Sequence, residues 1–148
     1  MELNELHDNL ISEGCNRFYI DGIGGPQSDD VERLGLTNGN WEVYYIERGK
    51  RSVAFFSTTD KDEAISFYYD YVMKIEHWHI VVFSRSIEIF NYYKKELEQY
   101  GIRTIQNDIP AYQRSGDHVY RLFVTNKDIF TAKEKLENIP YIDENLKR

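Results

Sequence analysis

The chain has 148 residues and a mass of 17.6 kDa, and its 41% apolar and 15% aromatic residues exclude a disordered tail. One cysteine excludes an intramolecular disulfide, and no apolar run at the N-terminus resembles a signal peptide or a membrane span. The sequence therefore predicts a single soluble domain over residues 1–148, cytoplasmic and either a monomer or a weak homodimer.

The net charge of −7 is concentrated at the N-terminal end. Residues 1–49 contain ten acids and three bases, whereas the remaining residues contain fifteen of each sign. Such an asymmetry disfavours nucleic acid as a partner and attracts a basic protein to the acidic third of the chain. The alternative interpretation is a solvated acidic face that maintains solubility.

The N-terminal half begins with a predicted helix and a hairpin. Apolar residues at helical spacing over 2–13, followed by Gly14, are typical of a short amphipathic helix. A short strand over 18–20 and a glycine-rich loop come next. Asn38-Gly39 then predicts the turn of a hairpin between strands at 31–37 and from Trp41 onward.

A third strand and a second helix complete the predicted N-terminal half. Residues 52–57 are rich in apolar side chains and predict a strand that extends the hairpin into an antiparallel meander. Thr59 or Asp60 is the expected cap of a helix whose apolar stripe runs from Ala64 to Ile75. We expect this helix to cover one face of the meander.

The C-terminal half has the pattern strand, helix, strand, strand, helix. The pattern predicts strands at 79–83, 102–105 and 118–125, a helix that begins after Ser84 or Ser86 and ends at Gly101, and a last helix capped by Asn126 and ended by Pro140. The first strand-helix-strand unit permits a crossover with its two strands parallel and adjacent or one strand apart. We therefore predict an α+β fold with lobes at 1–77 and 78–148.

Three patterns with catalytic potential do not satisfy the chemistry that each would need. The loop at 22–25 lacks the glycine spacing of a phosphate-binding fingerprint. Glu42 and Glu47 are an odd number of residues apart on a predicted strand and face opposite ways, which excludes a glycosidase pair. Cys15 follows a helix end, where the dipole disfavours a thiolate. The sequence predicts that the protein is not an enzyme and needs no cofactor.

Two histidines near the centre of the chain raise the question of a metal. His77 and His79 would share one face of a strand and could bind zinc if His118 or Cys15 joined them. Nothing in the sequence brings a third ligand to them, and partly exposed imidazoles at the start of a strand are the favoured interpretation. We predict no metal site.

Aromatic residues are more informative about recognition. In the strand from Trp41 to Arg48, alternate side chains fall on opposite faces, and each face is apolar first and charged at its end. Tyrosine and tryptophan combine apolar area with a polar tip and dominate many interfaces. The twelve tyrosines therefore either line an interface or fill the space between sheet and helices with their hydroxyls at the rim.

Two segments resemble the small cytosolic immunity proteins of bacterial polymorphic-toxin and contact-dependent inhibition systems. The first is Trp41-Glu42-Val43-Tyr44-Tyr45-Ile46-Glu47-Arg48-Gly49, followed by Phe55 or Phe56 and the helix with Phe67-Tyr68-Tyr69. The second is Asn107-Asp108-Ile109-Pro110 with Tyr120-Arg121-Leu122-Phe123-Val124. The resemblance spans most of residues 17–137. It implies a non-enzymatic protein that binds a cognate toxin domain, often a nuclease, and blocks its active site or substrate access.

Charge and resemblance together give the leading hypothesis, a binder of a basic toxin domain that uses the region from Asp21 to Glu47. Trp41 is equally a candidate core residue. The candidate contacts are Asp21, Asp29, Asp30, Glu32, Trp41, Glu42, Tyr44, Tyr45, Glu47 and Arg48.

Two alternatives stay open. One is a small-molecule-binding regulatory or enzymatic domain with a cleft between the two lobes, and its polar groups would be Arg48, His79, Asp108 and Arg121. The other is a structural subunit that self-associates through an apolar patch.

Overall fold

The computed structural model describes residues 1–26 and 30–147 and has two compact units, Met1–His77 and Trp78–Arg148. The described residues form four α-helices and two β-sheets, which confirms the α+β class. The boundary between the units falls at the residue where the sequence separates the two lobes. In each unit two helices cover one face of the sheet.

The N-terminal unit contains two helices and five strands. They are α1 (Leu3–Ser12), β1 (Phe18–Ile20), β2 (Asp30–Thr37), β3 (Asn40–Glu47), β4 (Lys50–Arg51), β5 (Phe56–Thr58) and α2 (Lys61–Met73). The strands form a sheet in the order β1-β2-β3-β4, and β5 also pairs with β3. The β2–β3 hairpin is confirmed, and its turn residues Asn38 and Gly39 have φ values of 51° and 81°. The parallel pairing of β1 with β2 was not predicted.

The predicted strand over 52–57 is wrong, because the chain leaves the sheet within it. Ile46 pairs with Arg51 and Val43 pairs with Phe56, so three steps along β3 match five steps on the other side. The segment 52–55 between β4 and β5 is therefore two residues longer than the part of β3 opposite it and projects from the sheet, and we call residues 53–55 the bulge. The Ser52 hydroxyl accepts a hydrogen bond from the Tyr45 N–H at 2.9 Å and holds the start of the bulge against β3.

The core of the N-terminal unit lies between the sheet and its two helices. Asp60 caps α2 and accepts hydrogen bonds from the backbone N–H groups of Asp62 and Glu63, as the sequence predicts. The side chains that β2 and β3 contribute to this core, Leu34, Trp41 and Val43, lie on one face of the sheet. The buried residues of the core are Leu6, Leu10, Cys15, Phe18, Ile20, Leu34, Trp41, Val43, Ala64, Ile65, Tyr68 and Val72.

The C-terminal unit contains two further helices and four short strands. They are β6 (Trp78–Ser84), α3 (Ile87–Gln99), β7 (Ile105–Gln106), β8 (Tyr120–Thr125), α4 (Asp128–Lys135) and β9 (Tyr141–Ile142), with a 3-10 helix at Glu144–Leu146. The strand order is β7-β8-β6-β9. Because β6 and β7 are both antiparallel to β8, they are parallel and one strand apart, one of the two predicted arrangements.

The ends of these elements correct several predictions. Ser86 caps α3 and accepts from the Ile89 N–H at 3.2 Å, whereas the predicted Asn126 cap of α4 is wrong. Asn126 instead has a left-handed backbone with φ of 51°, and α4 begins after Lys127 without a side-chain cap. The strand predicted over 102–105 is limited to β7. Among the described residues, the helices are too short or too polar to cross a membrane.

Candidate functional site

The register of β2 and β3 divides the predicted contact residues between the two faces of the sheet. Asp30 lies directly opposite Glu47, and Glu32 lies directly opposite Tyr45. All four side chains are on the face that α1 and α2 cover, at the end of the strands beyond the apolar core. We call the group of Asp30, Glu32, Tyr45 and Glu47 the acidic corner.

Three other predicted residues belong to the outer face of the sheet or its margin, where their charges are paired. Arg51 donates to Glu42 at 3.1 Å, and its guanidinium carbon lies 3.8 Å from the centroid of the Tyr44 ring. Arg33 makes a hydrogen bond of 2.7 Å with Asp21. Because each acid here has an arginine partner, this face offers little net charge to a basic protein.

The remaining predicted residues lie elsewhere. Trp41 is 9% exposed and is part of the core, so it has the core role that was the alternative to a contact role. Arg48 is exposed in the turn between β3 and β4, with φ of 49°. Asp29 lies outside the described residues. Four of the ten predicted residues therefore come together in the acidic corner.

Glu32 is the most deeply buried member of the acidic corner. It is only 5% exposed, and its carboxylate accepts a hydrogen bond of 2.7 Å from the Tyr71 hydroxyl. The nearest guanidinium nitrogen of Arg17 is 3.7 Å away. Burial raises the pKa of Glu32 above its ordinary value, and the Tyr71 hydrogen bond and the Arg17 charge only partly oppose this. The carboxylate is therefore incompletely compensated.

The two tyrosines of this region are held protonated. Burial, followed by the negative charge of Asp30, raises the pKa of Tyr45, and Arg17 opposes this. Burial also raises the pKa of Tyr71, and the hydrogen bond to Glu32 adds to the effect. Both hydroxyls consequently remain neutral at physiological pH.

Exposed apolar side chains border the acidic corner, and the sequence did not identify them as contacts. Val53 is 89% exposed and Phe55 is 48% exposed, both in the bulge between β4 and β5. The Phe55 ring lies 5.0 Å from the Tyr71 ring, and Ser52 donates its N–H to the Tyr45 carbonyl at 2.8 Å. The signal in the sequence was the unbroken apolar run at 53–56, which does not alternate as a half-buried strand requires.

An apolar projection beside a group of carboxylates has the composition of a protein-binding surface. Aromatic side chains supply buried contact area, and charged side chains at the rim steer and orient a partner. Within the described residues, no three His, Cys, Asp or Glu side chains are grouped to hold a metal ion.

The histidine and cysteine candidates have structural environments. His77 is 1% exposed; its Nδ1 accepts from the N–H groups of Asn16 and Arg17 at 3.1 Å, and its Nε2 donates to the Val72 carbonyl at 2.9 Å. His77 precedes β6, so the expectation that it shares a strand face with His79 is wrong. Burial raises the pKa of Cys15 to about 11, which keeps its thiol protonated.

Two residues of the small-molecule alternative are neighbours in the C-terminal unit. The Arg121 N–H donates to Asp108 at 3.3 Å, and His118 Nε2 lies 2.9 Å from the same carboxylate. Arg48 belongs to the N-terminal unit, and His79 is in β6.

No family model, curated protein or solved structure matches this chain. The assignment of function therefore depends on its own residues and geometry.

Proposed function

We propose that this chain is an immunity protein that binds a basic toxin domain, such as a nuclease, through the acidic corner and the adjacent bulge at 53–55. The observation that carries the proposal is the cross-strand block in which Asp30 faces Glu47 beside the buried Glu32. Like charges at opposite positions of a sheet repel each other, and a basic partner protein would reduce this repulsion. The exposed Phe55 supplies an apolar anchor beside them.

The distribution of charge between the two units supports a basic partner for the N-terminal unit. Residues 1–77 contain fifteen acids and seven bases, a net charge of −8, whereas residues 78–148 contain ten acids and eleven bases, a net charge of +1. Nuclease domains present basic surfaces to the phosphates of their substrates. Such a surface would be attracted to the N-terminal unit and would lose access to nucleic acid once bound.

The two parts of the surface have different roles in this proposal. The carboxylates of the acidic corner accelerate association, because long-range attraction acts mainly on the rate of encounter. Val53 and Phe55 slow dissociation, because burying exposed apolar side chains stabilises the formed complex. The protein acts by covering the active site or the substrate path of the toxin, and not by catalysis.

A growth-protection assay tests this function. The chain is co-expressed with the toxin domain encoded immediately upstream of its gene, and we expect it to restore growth. The double variant Phe55→Ala/Glu47→Lys should lose protection. A matched control is Phe130→Ala/Glu137→Lys in the C-terminal unit, because Phe130 is 45% exposed and Glu137 is also exposed.

The outcomes separate the proposal from its competitors. Protection by the wild type and the control, but not by the Phe55→Ala/Glu47→Lys variant, supports binding at the acidic corner. Failure of the wild type to protect would reject the immunity function for this toxin. Equal protection by all three proteins would retain the function and reject the surface.

A further inference from the structure

The outer face of the C-terminal sheet carries a groove of about 550 Å³. Its floor is a row of side chains from three neighbouring strands, since Arg121 of β8 pairs with Phe83 of β6 and Phe83 pairs with Ile142 of β9. Leu122, the next residue on β8, is fully buried in the core with α3 and α4. Arg121 therefore points to the opposite face of the sheet.

Apolar and aromatic side chains complete the lining of the groove. The Tyr112 ring meets the Phe83 ring edge to face, with 5.6 Å between centroids. Leu146 and Lys147 come from the C-terminal end of the described chain. The residues that line the groove include two bases and no acid. A ligand that fits it must be largely apolar and, if charged, negative.

Arg85 anchors both segments that contribute to the groove. Its guanidinium donates twice to Asp117, at 2.7 and 3.1 Å, and Asp117 closes the loop that begins at Tyr112. The Arg85 backbone N–H donates to Asp143 at 2.8 Å, directly after Ile142. Because these bonds hold the two segments beside the end of β6, the groove is largely preformed, as ligand sites usually are.

Arg121 is positioned to bind an anion. Its Nε donates to the Asn107 carbonyl at 2.7 Å, which fixes the direction of the guanidinium. Within residues 1–26 and 30–147, its terminal amino groups have no hydrogen-bond partner. Within the described residues, Asp108 makes no hydrogen bond to them; its carboxylate accepts from the Arg121 backbone N–H and from the side chains of Gln106 and His118.

We propose that this groove binds a small carboxylic acid with an apolar body. The carboxylate would accept hydrogen bonds from the terminal amino groups of Arg121, a pairing for which guanidinium geometry is well suited. The apolar body would lie on Phe83 and Ile142 beside the Tyr112 ring. The volume is within the range of roughly 300–1,000 Å³ that is typical of small-molecule sites. This site lies wholly in the C-terminal unit and does not depend on the toxin-binding proposal.

An NMR titration of the ¹⁵N-labelled full chain with two matched probes tests the site. The acid is 4-phenylbutyrate, and 4-phenylbutanamide is its neutral counterpart. We expect saturable shifts of amides in the groove, with the acid binding about tenfold or more tightly than the amide, because a hydrogen bond to a charged group is lost with the amide. Saturation with no difference between the probes would overturn the recognition of a carboxylate, and no saturable binding of the acid would overturn the site.

Variants assign the recognition to Arg121. Arg121→Gln should lower the affinity for the acid to that for the amide, whereas Arg114→Gln removes the same charge from an exposed residue outside the groove and should change neither affinity. Arg121→Lys is a second variant, to be used if Arg121→Gln fails to fold. It retains the positive charge, so it should bind the acid more weakly than the wild type does and still bind the acid more tightly than the amide. Equal effects of Arg121→Gln and Arg114→Gln would contradict the proposal.

Discussion

Two buried carboxylates, one in each unit, have opposite electrostatic environments. Glu32 is 5% exposed, its nearest guanidinium nitrogen on Arg17 is 3.7 Å away, and burial raises its pKa. Asp117 is 8% exposed, and Arg85 donates to both of its oxygens, at 2.7 and 3.1 Å. The hydrogen bonds from Arg85 lower the pKa of Asp117 to about 2.

The difference separates a carboxylate whose charge the fold compensates from one whose charge it compensates only in part. Asp117 accepts two hydrogen bonds from the guanidinium of Arg85 and one from the backbone N–H of Gln113, so it stabilises the loop that it closes. Among the described residues, the one hydrogen bond to the Glu32 side chain comes from the Tyr71 hydroxyl, and Glu32 lies on the same face of the sheet as Asp30 and Glu47. In the proposed complex, a basic residue of the toxin domain would add positive charge beside this group.

Neutralising each carboxylate in turn tests this difference between Asp117 and Glu32. We expect Asp117→Asn to cause the largest loss of melting temperature at neutral pH, because Arg85 keeps its charge and loses its partner. Glu32→Gln should leave the melting temperature unchanged or raise it, because the amide oxygen can still accept from Tyr71 without a buried charge. Circular dichroism melts of both variants measure this, and equal destabilisation would contradict the contrast.

Removing the Tyr68 hydroxyl tests what holds Glu32 in place. This hydroxyl is fully buried and donates to the Glu32 carbonyl at 2.6 Å. It also accepts from the Tyr19 N–H at 3.2 Å. Tyr68→Phe should lower the free energy of unfolding by about 1–3 kcal/mol, because it leaves buried backbone groups unsatisfied. Tyr92→Phe, at a side chain that is 56% exposed, is the control and should change it by less than about 0.5 kcal/mol. Equal stability of the two variants in urea denaturation would refute this role.

The pH dependence of stability should have opposite signs at the two carboxylates. The folded pKa of Asp117 is lowered from 3.8 to about 2, so its contribution is present above the ordinary value and is lost as pH falls toward 2. The folded pKa of Glu32 is raised, so stability is lost as pH rises through and above its ordinary value of 4.5.

Melting curves of the two variants against pH measure these contributions. The advantage of the wild type over Asp117→Asn should shrink below about pH 4, near the unfolded value of an aspartate. The wild type should lose stability relative to Glu32→Gln above about pH 4.5, near the unfolded value of a glutamate. A Glu32→Gln difference that does not change over this range would show that burial does not perturb Glu32.

The smallest expected effect is on the rate of toxin binding. Reversing the exposed charge in Glu47→Lys should slow association with the upstream-encoded toxin domain by roughly two- to tenfold at low salt. High salt should reduce the difference because it screens exposed charges. Stopped-flow measurements with Glu137→Lys as the control test this, and an equal slowing by both variants would indicate only a net-charge effect.

Much of the fold could be predicted because local chemistry determined it. Asn38-Gly39 fixed the hairpin, and Asp60 and Ser86 capped their helices. The bulge at 53–55 was missed because a pairing shift depends on the partner strand, which one segment of sequence does not reveal. The two-residue β9 was missed because it forms only through pairing with β6.

The candidate site was predictable only in part. Alternation along β3 correctly separates Tyr45 and Glu47 from Glu42 and Tyr44. It does not show that Arg51 compensates Glu42, because that contact joins residues of two different strands. The sequence also could not identify Phe55 as exposed, because aromatic residues in such a run are usually buried.

The central claim is that the acidic corner and its apolar bulge bind a toxin domain. The most direct test is isothermal titration calorimetry of the purified chain with the toxin domain encoded upstream, comparing the wild type, Phe55→Ala and Phe130→Ala. We predict tight binding by the wild type, a loss of about 2 kcal/mol in Phe55→Ala and no change in Phe130→Ala. Absence of binding by the wild type, or equal losses in the two variants, would contradict the account.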